Sequence, residues 1–273
     1  MTQEPIYLTI EGAVAQLILN RPDKRTALTR AMWAAIAEHT AAVAADPEVK
    51  VLVLRGATPA AFAAGADIAE FEEVFASPET ARAYQEVVHA AYDAIADLAK
   101  PTIAMVQGVC FGGGCALALC CDLRYADESA TFCIPPARLG LAYSLAETRR
   151  LVGLVGPAKA KEMLMGARAI AADEALRIGL TTRVFKAVDL ERETMAFAGH
   201  LCGLSQFTIR ATKTVIRDIL NGAVAETETS RGLFEEQFRS ADYIEGRNAF
   251  LAKRAPNFTW RPAESQKKRS GTG

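Results

Sequence analysis

Short apolar runs alternate along this chain with longer stretches in which apolar residues recur at helical spacing. Ile6–Ile10 and Val14–Leu19 are β-rich runs on either side of Glu11-Gly12, which predicts a hairpin. Thr29 can cap a helix running to about Ala45, with Met32, Ile36 and Val43 on its apolar face. Val51–Leu54 is a short apolar strand closed by Gly56. Asp67, followed three residues later by Glu70, resembles a capping box and predicts a helix from about Ile68. Ser77-Pro78 opens another helix, to about Ala99. Thr102–Val106 reads as a buried strand, followed by a glycine-rich turn and a buried helix from about Cys115. Leu123–Tyr125, Thr131–Ile134 and Thr182–Phe185 read as further strands. Helices are expected near Leu145–Leu151, Pro157–Met165 and Asp173–Ile178, and almost throughout Leu190–Lys253. The polar tail from Ser265 is expected to be mobile.

Composition narrows the function classes. The 273 residues are 51% hydrophobic and 23% charged, with a formal net charge of -1, which suits a globular chain and gives no cationic field for nucleic acid. Pro101 to Cys121 carries no charge and is long enough to span a bilayer, but Pro101, Gln107 and the run Gly112-Gly113-Gly114 break it. No membrane segment is expected. The N-terminus has neither a basic nor an apolar leader region, and the chain is expected in the cytoplasm. Of six cysteines, Cys110, Cys115, Cys120, Cys121 and Cys133 fall in the most apolar stretch, with no histidine near enough in sequence for a zinc pattern. They read as buried thiols, and no metal is expected.

The glycine run sits between a strand and a helix yet matches neither the dinucleotide fingerprint nor the P-loop, since no Lys-Ser/Thr follows it. Such a turn still brings backbone close to a ligand and leaves helix N-terminal N–H groups available. With the helix dipole behind them, those donors suit an oxygen that becomes negative during reaction. Ala64-Gly65-Ala66-Asp67 is a second loop of this kind. Two such loops at neighbouring strand ends could each aim one N–H at a single carbonyl oxygen.

Leu19-Asn20-Arg21-Pro22, Phe62 to Ile68, Gln107-Gly108 through Gly112-Gly113-Gly114-Cys115, Cys121-Asp122 and Arg138-Leu139-Gly140 follow in an order and spacing that resembles the enoyl-CoA hydratase/isomerase (crotonase) family. The resemblance covers about Ile6 to Lys253. It implies an α/β fold, a crotonase-like (ClpP/crotonase) spiral of ββα units, with a helical C-terminal oligomerisation region. The expected division is a core over 1–200, helices over 201–260 and a tail over 261–273. It further implies a lyase or isomerase of fatty acid metabolism that acts on an acyl-CoA thioester, as a homotrimer or hexamer. No cofactor is implied beyond the coenzyme A of the substrate. By position, the N–H groups of Ala66 and Gly113 would hold the thioester oxygen of an enolate, with Ala64 and Asp67 beside the first donor.

The chain departs from the family at its two hydratase glutamates, whose positions hold Ala116 and Pro136. Neither can transfer a proton, so efficient hydration is not expected, although both remain in the set expected to line the substrate. The stretch after Leu139-Gly140 is altered too and introduces Tyr143 and Glu147. If Tyr143 opens a helix, Glu147 lies four residues on along the same face, the first a proton donor or orienting hydroxyl and the second an acid/base. A tyrosine here resembles the methylmalonyl-CoA decarboxylases of the family. The alternatives are therefore a malonyl-type decarboxylase using Tyr143, or a non-catalytic acyl-CoA-binding homologue. Lys24 and Arg25, where family members contact the CoA nucleotide, and Lys253 near the C-terminus are the expected basic contacts.

Overall fold

The structure, a computed structural model, describes residues 4–261. The chain forms two compact units, Met1–Cys202 and Gly203–Gly273. All the strands among the described residues lie in the first.

In chain order the first unit comprises β1 (Ile6–Glu11), β2 (Val14–Leu19), β3 (Ala27–Leu28), α1 (Arg30–Ala45), β4 (Val51–Gly56), β5 (Ala61–Ala63) and β6 (Gly65–Ala66). There follow α2 (Phe71–Val74), α3 (Pro78–Asp97), β7 (Thr102–Val106), β8 (Val109–Phe111), α4 (Gly112–Cys120), β9 (Leu123–Asp127) and β10 (Thr131–Cys133). The unit closes with α5 (Pro136–Leu139), α6 (Leu145–Gly166), β11 (Ile170–Ala171), α7 (Ala172–Arg177), β12 (Arg183–Phe185) and α8 (Ala187–Cys202).

A repeating ββα turn organises these elements. Each repeat gives one longer strand to a six-stranded sheet, ordered β1-β2-β4-β7-β9-β12, and one short strand to a smaller sheet. The small sheets run β11-β10-β8-β5 and β3-β6. Beyond the antiparallel β1–β2 hairpin, the large sheet is parallel. Parallel strands covered on both faces read as continuous apolar runs. Leu52, Leu54, Ala104 and Val106 enter the main core, whereas Val51, Val53, Ile103 and Met105 pack with Leu190 and Ala198 of α8.

Several local expectations shift by a turn or a bond. The helix after the glycines begins at Gly112 rather than near Cys115, because Gly112 and Gly113 already have helical hydrogen bonding. Asp67 does cap the following turn, accepting from Ala69 N at 3.0 Å, but Glu70 does not complete a box. Its carboxylate instead accepts the Arg30 N–H at 2.7 Å, at the first residue of α1. That turn is a 3-10 segment, Ile68–Glu70, leading into α2. α3 stops at Asp97, short of Ala99. Helices expected at Leu145–Leu151 and Pro157–Met165 are the two arms of α6, broken where Gly156 takes φ 74°.

The second unit holds α9 (Gln206–Leu220), α10 (Glu228–Gln237) and α11 (Ala241–Leu251). Ser205, Thr227 and Ser240 cap them. Apolar residues Ile219, Val224, Phe234 and Phe250 of this unit are exposed. The expected mobile tail begins at Arg261 and otherwise lies outside the described residues.

Candidate active site

The first loop runs from β5 through β6 to Asp67. Ala64 N donates to the Arg25 carbonyl at 3.0 Å, and Asp67 N donates to the Leu28 carbonyl at 2.9 Å. The Asp67 carboxylate also accepts from Arg21 Nη1 at 2.7 Å, and the same guanidinium nitrogen reaches the Ala27 carbonyl at 2.8 Å. The Arg21 hydrogen bond, helped by the Ala69 N–H, holds the Asp67 carboxyl below its ordinary value. Asp67 is thus a brace of this loop as well as a cap. Arg25 and Thr26, with φ 50° and 56°, take the left-handed conformation that non-glycine residues seldom adopt. The segment carrying exposed Lys24 and Arg25 is therefore stitched to the Ala64 loop through backbone.

The second loop is the β8–α4 turn. Gly112 turns the chain with φ 51°, and no side chain caps the N-terminus of α4 at Phe111. No acidic residue stands in its first turn. The positive end of a buried helix is left without a carboxylate, which is the environment an incoming anionic oxygen needs.

Gly65 brings the two loops into contact. Its φ is 101°, and a Cβ built on it would lie 3.0 Å from the Phe111 carbonyl oxygen and 3.3 Å from the Gly113 nitrogen. Any side chain at position 65 would crowd the Gly113 nitrogen. Ala66, the other expected donor, is the next residue in the chain.

Aromatic residues close the far side. The Tyr143 hydroxyl donates to the Gly112 carbonyl at 3.1 Å, and the Tyr92 hydroxyl donates to the Gly113 carbonyl at 3.1 Å. Trp33 packs edge-on against Tyr92, and its ring would meet a Cβ on Gly113 at 3.2 Å. Burial pushes the Tyr92 and Tyr143 hydroxyls well above the ordinary value, with the Glu147 charge adding to the shift in each. Neither Tyr92 nor Trp33 stands out in the sequence, because an aromatic on an amphipathic helix reads as core.

Tyr143 does not open a helix. Ser144 is the N-cap of α6, and Glu147 is its reciprocal partner, accepting the Ser144 N–H at 3.1 Å while Ser144 Oγ accepts the Glu147 N–H at 3.2 Å. The cause is the side-chain chemistry of Ser-x-x-Glu, which satisfies two orphan N–H groups at once. Ala116 lies on α4 one turn beyond Gly113 and is buried, and Pro136 is buried at the first position of α5. Lys253 belongs to the second unit, just past α11, with φ 52°, and its neighbour Arg254 pairs with Glu245. No His/Cys/Asp/Glu group that could hold a metal occurs among the described residues. Nor, among them, is any helix long and apolar enough to cross a membrane.

Comparison with known proteins bears on this geometry. The enoyl-CoA hydratase/isomerase family model matches residues 9–261. The chain is 36% identical to a crotonyl-CoA hydratase of Syntrophomonas wolfei, over 94% of this chain and 99% of that protein. A solved enoyl-CoA hydratase/isomerase family protein from Hyphomonas neptunium superposes with a TM-score of 0.91 at 41% identity, over 94% of this chain and 98% of that one. A solved enoyl-CoA hydratase/carnithine racemase from Magnetospirillum magneticum gives 0.90 at 36% identity, over 94% and 96%.

Proposed function

The chain belongs to the enoyl-CoA hydratase/isomerase (crotonase) family, and on that basis we propose that it stabilises the enolate of an acyl-CoA thioester between the N–H groups of Ala66 and Gly113. The observation that carries this reading is the contact of the two loops, with Gly65 kept free of a side chain beside the Gly113 nitrogen. Donors fixed by backbone cost no reorganisation as charge develops on the thioester oxygen, and one such donor is worth roughly 10²–10³ in rate.

Proton transfer is what separates this chain from a two-glutamate hydratase. Adding water across a double bond needs one group to deprotonate water and another to protonate the α-carbon. A methyl group at Ala116 and a ring at Pro136 supply neither. Glu147 is the carboxylate proposed to serve, as a single acid/base that removes and returns a proton next to the enolate. The reading is therefore enolate chemistry with one carboxylate, double-bond migration or α-proton exchange before hydration. Ala64, Ala116 and Pro136 would line the acyl group, Lys24 and Arg25 would meet the nucleotide of coenzyme A, and Lys253 would reach its phosphates in a neighbouring subunit. The reading calls for no cofactor apart from that coenzyme A, and for a cytoplasmic homotrimer or hexamer that covers the exposed apolar residues of α9–α11.

Decarboxylation of a malonyl-type thioester, with Tyr143 orienting the departing carboxylate, fits less well. A phenol has one hydrogen, and Tyr143 gives it to the Gly112 carbonyl. A non-catalytic role would keep the loops and lose turnover altogether. A panel of 2-enoyl-, 3-enoyl-, saturated and malonyl-type CoA thioesters tests all three. The expected products are migrated double bonds and exchanged α-protons, with hydration a minor outcome. Hydration as the main reaction, or release of carbon dioxide from the malonyl types, would overturn the reading. Binding without any reaction would leave the homologue as a binder.

A further inference from the structure

We propose that Tyr143 is a positioning residue for the oxyanion site: its hydroxyl, by holding the Gly112 carbonyl, fixes the direction of the Gly113 N–H. The inference rests on the oxyanion reading above and goes beyond it, by assigning a side chain to a function otherwise given to backbone alone.

In a trans peptide the C=O and the following N–H point to opposite sides of one plane. The carbonyl of Gly112 and the N–H of Gly113 belong to the same plane, so whatever fixes the oxygen also aims the hydrogen. That plane is flanked by glycine on both sides, and Gly112 already sits at φ 51°. Glycine on each side lowers the barrier to other orientations of the unit, since positive and negative φ are both open to it. The hydrogen bonding of the first turn of α4 restrains this unit from within the helix, and a second restraint from outside it narrows the orientation further. Tyr143 Oη, at 3.1 Å from Gly112 O, supplies it from the loop between α5 and α6.

Tyr92 does the same for the next plane. Its hydroxyl holds the Gly113 carbonyl at 3.1 Å, which aims the N–H of Gly114. Two hydroxyls from separate parts of the chain thus hold two successive peptide units in the first turn of α4. Their roles differ, because the plane held by Tyr143 carries the thioester donor and the plane held by Tyr92 does not. A hydrogen bond to the Gly112 carbonyl also polarises the peptide and makes its N–H a stronger donor. Burial keeps both phenols protonated, so both donate throughout the neutral range.

Burial ranks the two in the opposite order. Tyr92 is 2% exposed, whereas Tyr143 is only partly buried. If both tyrosines merely packed, Tyr92→Phe would be the more harmful change in every respect. If Tyr143 aims the donor, stability and carbonyl polarisation separate.

The experiment uses the full chain with butyryl-CoA carrying carbon-13 at the thioester carbonyl, and reads the carbonyl stretch by difference infrared spectroscopy. Bound to the unaltered protein, the stretch should fall in frequency. Tyr143→Phe should lose most of that fall and about tenfold in the rate of α-proton exchange, with Kd within about threefold. Tyr92→Phe should keep the fall while losing more thermal stability. Fluorotyrosine at position 143, a stronger donor on a ring of nearly the same size, should deepen the fall and serves if the phenylalanine variant does not fold. A Tyr143→Phe spectrum like that of the unaltered protein, or no response to fluorotyrosine, would overturn the assignment. Absence of any fall with the unaltered protein would instead count against the oxyanion site itself.

Discussion

A methyl group added to Gly65 would stand 3.3 Å from the amide nitrogen of Gly113, so the two loops of the site are fitted to each other at backbone level. Gly65→Ala should therefore damage function more than folding. The strained φ of 101° costs on the order of 1–2 kcal/mol, seen as a lower Tm. Displacement of the Gly113 donor should cost about 10²-fold or more in turnover. Kinetics and thermal denaturation of one preparation check both, and a folded variant with full activity would contradict the fit.

Glu147 combines a structural bond with the proposed proton transfer, and Glu147→Gln separates them. Glutamine keeps an oxygen to accept the Ser144 N–H, so the cap of α6 should survive with Tm little changed. Loss of the ionisable group should slow α-proton exchange by roughly 10²–10⁴. Unaltered exchange in the glutamine variant would remove Glu147 from the mechanism.

The Arg21–Asp67 pair gives a pH signature. Its carboxyl lies below the ordinary value of 3.8 in the folded chain, chiefly through the Arg21 hydrogen bond. A depressed folded value means that the pair stabilises fully above the unfolded pKa and is lost as pH falls through the folded one. Asp67→Asn should lower stability by on the order of 1 kcal/mol near neutrality, and the gap should close as pH falls below about 4. Denaturant melts from pH 2 to 7 measure it. A gap that stayed constant over that range would assign the loss to something other than the ion pair.

The thiols should be inert. Cys110, Cys115, Cys120, Cys121 and Cys133 are buried and in no disulfide, and burial pushes the thiols of Cys110, Cys120 and Cys133 up. Since the thiolate is the reactive form, alkylation at neutral pH should spare all five until the chain is unfolded. Peptide mapping after iodoacetamide would show this, and rapid native labelling of Cys115 would contradict the packing around the glycine loop.

Much of this architecture is legible in the residues themselves. The hairpin at Glu11-Gly12, the caps Thr29 and Ser77 and the strand Thr102–Val106 follow from local pattern and appear in the structure. The strands β3, β5, β6, β8 and β11, of two or three residues each, are not legible: the equally short β10 and β12 fall in runs of β-branched and aromatic residues, whereas these five lie against alanine- or glycine-rich sequence that reads as turn or helix. They matter here, since β6 is Gly65 and Ala66 themselves and β8 leads directly into Gly112. Local pattern has Glu70 reach back along its own turn, yet it reaches the N-terminus of α1, a contact set by tertiary packing. Tyr92 and Trp33 illustrate the same limit: they meet the glycine turn through contacts far along the chain, with Tyr92 at 21 residues from Gly113.

The central claim is that this site forms a thioester enolate without the two hydratase carboxylates. It is tested most directly by incubating the protein with butyryl-CoA in heavy water and reading the mass of the recovered thioester. The account predicts deuterium at the α-carbon, at a rate that falls with Gly65→Ala and Glu147→Gln. Tight binding of butyryl-CoA with no deuterium gained would contradict it.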